Sequence, residues 1–217
     1  MKTTFAIKNL HKKLLNTGVL ITPISRKESS LNNYIDFNYK NISFLNYNKY
    51  SLQFYEIFNF LQLIKKQALQ IIYIHGTETV LTTQFQLFAR ILNTNYFVGE
   101  WVNGFFTNNL FLSKKNMFLK KNNIKFSCST KPHVAVVFWS TNVEMILKEL
   151  HDSGIVTILI GHSTSQNYTP SFYLPGGDLS SKNYLFYFLF FINIFSSQTN
   201  FAKIDKFNLN QLILEKC

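Results

Sequence analysis

At 217 residues with 47% hydrophobic side chains, the chain holds enough apolar material for one α/β domain with a full core, or at most two small ones. Its formal charge of +11 argues against a basic partner and for a polyanionic one. Two distant cysteines, Cys128 and Cys217, argue against a disulfide framework or a paired-cysteine metal site and fit a reducing compartment.

The charge is concentrated. Residues 1–27 carry Lys2, Lys8, Lys12, Lys13, Arg26 and Lys27 and no acid; residues 101–143 carry Lys114, Lys115, Lys120, Lys121, Lys125 and Lys131, again with no acid. The ten remaining basic residues face all 11 acids, so the rest is near neutral. Clustered lysines release counterions when they neutralise phosphates, whereas a solubilising surface mixes signs. Lys8, Lys12, Lys13, Arg26, Lys27, Lys114, Lys115, Lys120, Lys121 and Lys125 are therefore the candidate phosphate contacts. Charge alone does not separate RNA from DNA or from an anionic membrane. Heavy use of Phe (23), Tyr (11), Asn, Lys and Ile, with arginine only at Arg26 and Arg90, follows A/T-rich codons. A nuclear gene of an A/T-rich genome and an organellar gene both fit. The basic start is similar to a mitochondrial targeting peptide in charge, but it has one Arg and little Ser; an organellar gene needs no such signal.

His11 to Gly18 predicts a short helix running into the apolar step Val19 to Thr22, and residues 23–33 read as a polar loop. Tyr34–Phe37 and Ile42–Leu45 predict two strands joined by a turn at Asn38–Asn41. Ser51–Lys66 predicts a long helix, with Phe54, Ile57, Phe58, Leu61 and Ile64 on a broad apolar arc and Lys65 and Lys66 at the end the dipole prefers. Ile71–Ile74 is an apolar run suited to a strand buried on both faces. His75-Gly76-Thr77 stops it, with Gly76 free to take tight-turn angles. Thr77 caps the next helix and Glu78 sits at its positive end. Leu81, Phe85, Phe88 and Leu92 form one face of that helix, and Tyr96–Val98 returns as a strand. Strand, helix and strand with short turns make a right-handed crossover and a parallel sheet.

The loop that follows, Trp101-Val102-Asn103-Gly104-Phe105-Phe106-Thr107-Asn108, resembles the Trp-Leu-Gly-Gly-x-Leu-Thr-Asn signature of the small-subunit ribosomal protein two family, and Gly76-Thr77 falls at the family's upstream Gly-Thr spacing. Gly18-Val19 and the strand pair are similar to the family's opening. A gap-free likeness runs from Pro132 to Pro175-Gly176-Gly177-Asp178, which resembles its Pro-Gly-Asn-Asp. Departures are Glu100 for an arginine, Asn103 for the first glycine, Glu78 for a basic residue, and His162-Ser163-Thr164 for Asp-Thr-Asn. Family signature positions are therefore Gly76, Thr77, Trp101, Gly104, Thr107, Asn108, Pro175, Gly176 and Asp178. With Glu100 opposing phosphate, Trp101 is expected to be a packing anchor. Gly76 and Gly104 are expected in conformations that a β-carbon disfavours.

Residues 109–131 form a basic linker where the family inserts a helical hairpin, which looks truncated. Lysines interleaved with Phe111, Phe118 and Phe126 suit RNA gripping; a disordered or sheet-covering loop whose lysines are simply solvated is the equal alternative. Val134–Trp139 predicts a buried strand. Thr141–Glu144 matches a capping box, ahead of a helix lined by Val143, Ile146, Leu147 and Leu150 and closed at Gly154. Ile155–Ile160 predicts another strand. Lys182–Phe195 is apolar all round. Its twelve-residue core covers only ~18 Å of a ~30 Å hydrocarbon layer, so a buried helix is expected and no membrane span. The tail from residue 196 is polar with scattered apolar anchors, and suits a short docking helix.

There is no Gly-Lys-Ser/Thr phosphate loop and no Gly-x-Gly-x-x-Gly turn. His162, Ser163 and Asp178 sketch a hydrolase triad without the Gly-x-Ser-x-Gly elbow. The expected protein is one α/β domain over 1–217, a three-layer α/β/α (flavodoxin-like) fold with a parallel central sheet and an N-terminal β-hairpin. Segments 1–27, 109–131 and 196–217 are its appendages. The resemblance implies a structural, non-enzymatic protein of an organellar small ribosomal subunit, mitochondrial before plastid. Its partners would be small-subunit ribosomal RNA and neighbouring ribosomal proteins near the solvent side of the head–body junction. No cofactor, metal or small-molecule substrate is expected. The rival is a doubly wound enzyme binding a nucleotide or other small ligand at the strand C-terminal ends.

Overall fold

The computed structural model describes residues 14, 17–23, 33–76, 82–101, 103–107, 131–139, 143–161, 167–175 and 181–195. Its elements are β1 (Ile21–Pro23), β2 (Ile35–Tyr39), β3 (Ile42–Leu45), α1 (Tyr47–Lys66), β4 (Ile71–His75), α2 (Thr82–Ile91), β5 (Asn95–Val98), β6 (Val134–Trp139), α3 (Glu144–Asp152), β7 (Val156–Gly161), β8 (Phe172–Pro175) and α4 (Ser181–Phe195).

The apolar runs at 71–75, 134–139 and 156–161 form the three central strands of a five-stranded parallel sheet. Its order is β5-β4-β6-β7-β8. Because side chains alternate across a strand, each run feeds two cores. Tyr73, Val134, Val136, Phe138, Ile158 and Ile160 meet α1, α2 and α4 on one face. Ile72, Ile74, Ala135, Val137 and Leu159 meet α3 and the Trp101 loop on the other. The result is a three-layer α/β/α fold with the flavodoxin-like strand order. Among the described residues no helix is long and apolar enough to cross a membrane.

Helix α4 holds the centre of the three-helix face, touching both α1 and α2. Phe188 stacks on Phe88 with ring centroids 4.4 Å apart, and Phe191 meets Tyr73 edge-on at 5.6 Å. Tyr187 and Tyr50 share a buried hydroxyl–hydroxyl hydrogen bond of 2.6 Å. Burial, and then the neighbouring Tyr187, hold the Tyr50 phenol well above its usual range. Lys65 Nζ donates to the Ile194 carbonyl, tying the ends of α1 and α4 together.

Several boundaries differ from expectation. Helix α1 starts at Tyr47, because Asn46 caps it by accepting from the Lys49 N–H at 3.1 Å. The hairpin gains a third strand: β1 joins it, giving a small antiparallel sheet of order β1-β3-β2. Lys40 makes the hairpin turn at φ 54°. Thr141, the first residue of the expected capping box, lies outside the described residues. Val143, just before α3, makes no side-chain cap bond, and the Glu144 carboxylate accepts from Asn167 Nδ2 at 2.6 Å. Thr77, Glu78 and all of the linker up to residue 130, with its truncated family hairpin, lie outside the described residues, as does the tail from residue 196.

Candidate functional site

A doubly wound sheet offers ligands a crevice where its strand order reverses, at the strand C-terminal ends. Here that point lies between β4 and β6, at Gly76 and Trp139. Gly76 donates to the Phe138 carbonyl at 3.3 Å, and a β-carbon on it would lie 3.2 Å from the Trp139 indole. The indole thus lies against the backbone of Gly76. The expectation that Gly76 takes a conformation a β-carbon disfavours is corrected: its φ is not positive, and close approach of an aromatic ring is what favours glycine there.

His75, one residue earlier, is wholly buried. Its ring stacks on Phe85 at 4.7 Å, and its Nδ1 lies 3.4 Å from the Tyr184 hydroxyl. Burial lowers its pKa to about 4, against a hydrogen bond with the Phe138 backbone that acts the other way. A neutral imidazole sealed among aromatic rings has no route to a solute.

Beside the crevice, at the β5 edge, the signature loop is gathered onto one carboxylate. Glu149 of α3 is 7% exposed. Its Oε2 accepts from Trp101 Nε1 at 3.1 Å and from the Gly104 N–H at 3.2 Å. Its Oε1 accepts from the Phe106 and Thr107 N–H groups at 2.5 and 3.3 Å. Gly104 sits at φ 80°, as expected for a position that disfavours a β-carbon. That turn lets three backbone donors of the loop converge on one anion, as in a nest. Phe105, 1% exposed, plugs the sheet below and meets Phe97 edge-on at 5.2 Å. Trp101 is half-buried and packs between Phe97 and Phe105, with centroids 5.2 and 5.4 Å away. It is an anchor in the expected sense, fixed by packing and by its indole N–H together.

A shallow cleft opens over this loop, lined by Asn103, Thr107, Met145, Lys148 and Asp152. It sets one lysine against two carboxylates, counting Glu149, which is a poor seat for phosphate. Among the described residues no group of three or more His, Cys, Asp or Glu side chains can hold a metal.

The structure therefore brings Trp101, Gly104 and Thr107 together and places Gly76 at the neighbouring switch point. Pro175 ends β8, buried, at the opposite edge of the sheet. Thr77, Asn108, Gly176 and Asp178 lie outside the described residues. So do all ten candidate phosphate contacts, from Lys8 to Lys125, and the His162, Ser163 and Asp178 sketch of a triad. Glu149 and Trp139 were not singled out from the sequence. Gly161 was missed too: its β-carbon would fall 1.9 Å from the Trp139 carbonyl oxygen. No protein-family model matches this chain, and no curated protein matches it.

Proposed function

We propose that this protein is a structural, RNA-binding component of an organellar small ribosomal subunit, the mitochondrial one before the plastid one. It works by holding small-subunit ribosomal RNA and neighbouring proteins rather than by catalysis. The observation that carries the reading is the joint behaviour of the signature residues. Trp101, Gly104 and Thr107, which resemble the ribosomal protein two motif, close into one unit on Glu149. That unit sits on a parallel sheet of the order expected for such a domain. The two acid-free basic segments add the electrostatic means of holding phosphates. The Trp139 indole against Gly76, where a doubly wound enzyme would admit its ligand, favours binding over catalysis.

Sedimentation tests the proposal. Tagged protein expressed in its own organelle should travel with the small subunit through a gradient at moderate salt and should be released as salt rises. Protein that stays at the top of the gradient at every salt concentration would end the proposal.

A further inference from the structure

The small antiparallel sheet turns large apolar side chains to its outer face. Residues directly opposite one another share a face, and Ile21, Phe44 and Phe37 are opposite in turn, as are Tyr39 and Ile42. These side chains are the outer ones: Phe37 is 54% exposed, Tyr39 57% and Ile21 38%. The inner face buries Leu45 along with Thr22 and Ser43, the last two cross-strand partners. Among the described residues their hydroxyls have no hydrogen-bond partners. A two-residue alternation that turns its aromatics outward and its hydroxyls inward points to an outer face that is covered when the protein is at work.

We propose that this face is a stacking platform for unpaired RNA bases, an inference that rests on the RNA-binding reading above and gives it a second surface. Three of the five outward residues are aromatic. Phe37 and Phe44 lie nearly parallel, 4.6 Å apart and 13° from coplanar, so the pair already presents a stacked column. Tyr39 lies two residues along the same strand, with Lys40 Nζ 5.4 Å from its ring centroid. Bases stack on aromatic side chains whatever their identity, and an adjacent cation holds the phosphate. The strand's acid, Asp36, is engaged by Asn46 Nδ2 at 3.3 Å. Strand β1 belongs to the acid-free basic segment 1–27, so the partner that complements the platform is an anion with flat apolar faces.

The test is Phe37→Leu combined with Tyr39→Leu, with Tyr39→Leu alone as a second variant at the hairpin turn. Leucine keeps the face apolar and removes two of its three aromatic rings, leaving Phe44. The full-length protein is titrated with a single-stranded oligouridylate and with duplex RNA of equal length. The expected result is a fall of roughly 5- to 150-fold per ring in single-strand affinity, with duplex binding and the salt slope unchanged. Unaltered single-strand affinity in both variants would overturn the platform while leaving RNA binding intact. So would the same unaltered affinity accompanied by loss of subunit association in Phe37→Ser, which would assign the face to a neighbouring protein. A wild-type chain that binds neither RNA would overturn this inference and the RNA-binding reading together.

Discussion

Replacing Glu149 with glutamine exchanges one oxygen for an amide nitrogen and leaves the side-chain volume alone. The two carboxylate oxygens each receive two N–H donors, from Trp101 and Gly104 on one and Phe106 and Thr107 on the other. In either orientation, glutamine turns an NH2 group toward two of those donors. A buried donor left unpaired costs about 1–3 kcal/mol, so the variant should lose roughly 2–6 kcal/mol. Near the middle of that range, Tm should fall by roughly 8–16 °C, at 2–4 °C per kcal/mol for a domain of this size. Urea unfolding followed by tryptophan fluorescence measures the effect as a lower midpoint at constant slope. A change within roughly 0.5 kcal/mol, the range of ordinary surface substitutions, would refute the claim that this carboxylate organises the loop.

Three further outcomes are expected. His75 folds neutral with a pKa near 4, while the unfolded chain takes up a proton at about 6.5. Its contribution to stability is therefore full above pH 6.5 and is lost as pH falls toward 4, by roughly 3 kcal/mol; His75→Phe should flatten the Tm–pH curve in that window, and an unchanged curve would remove the argument. Gly161→Ala should cost about 3 kcal/mol or more, because a backbone oxygen of the neighbouring strand blocks the new atom. Gly154→Ala, at φ 63° in open space, should cost about 1–2 kcal/mol, and equal destabilisation of the two variants in chemical denaturation would contradict the clash. Replacing Lys114, Lys115, Lys120 and Lys121 with glutamine should lower the salt slope of RNA binding by roughly 0.7–0.9 for each phosphate no longer neutralised. An unchanged slope would mean that these lysines are solvated.

The central strands were legible because burial on both faces leaves a continuous apolar run, as in Val134–Phe138. Helix α4 was legible for the same reason, since fifteen residues with little polarity have nowhere to go but the core. The bounds of α1 were legible in part: lysines mark its end, but its apolar arc begins only at Phe54, so the cap Asn46 makes with the Lys49 N–H leaves no mark in the pattern. The heart of the candidate site was not legible. An acid between Lys148 and Leu150 has the signature of a solvent-facing helix position, and its donors lie 42 to 48 residues away. Nothing in local periodicity encodes an interaction across that distance. The outward aromatics of β2 were hidden differently: alternation fixes two faces but not which of them the core takes.

The place of α4 also sets the timing of folding during synthesis. Tyr73, Phe85, Phe88 and Phe138 share the helical face that α4 covers, yet α4 is the last described element to be made. Between Phe138 and Phe195 a ribosome adding 5–20 residues per second needs roughly 3–11 s. For that interval the nascent domain carries a sheet whose aromatic face is only partly covered, by α1 and α2, a surface that invites chaperones or aggregation. Truncation anywhere before the end of α4 makes that transient state permanent.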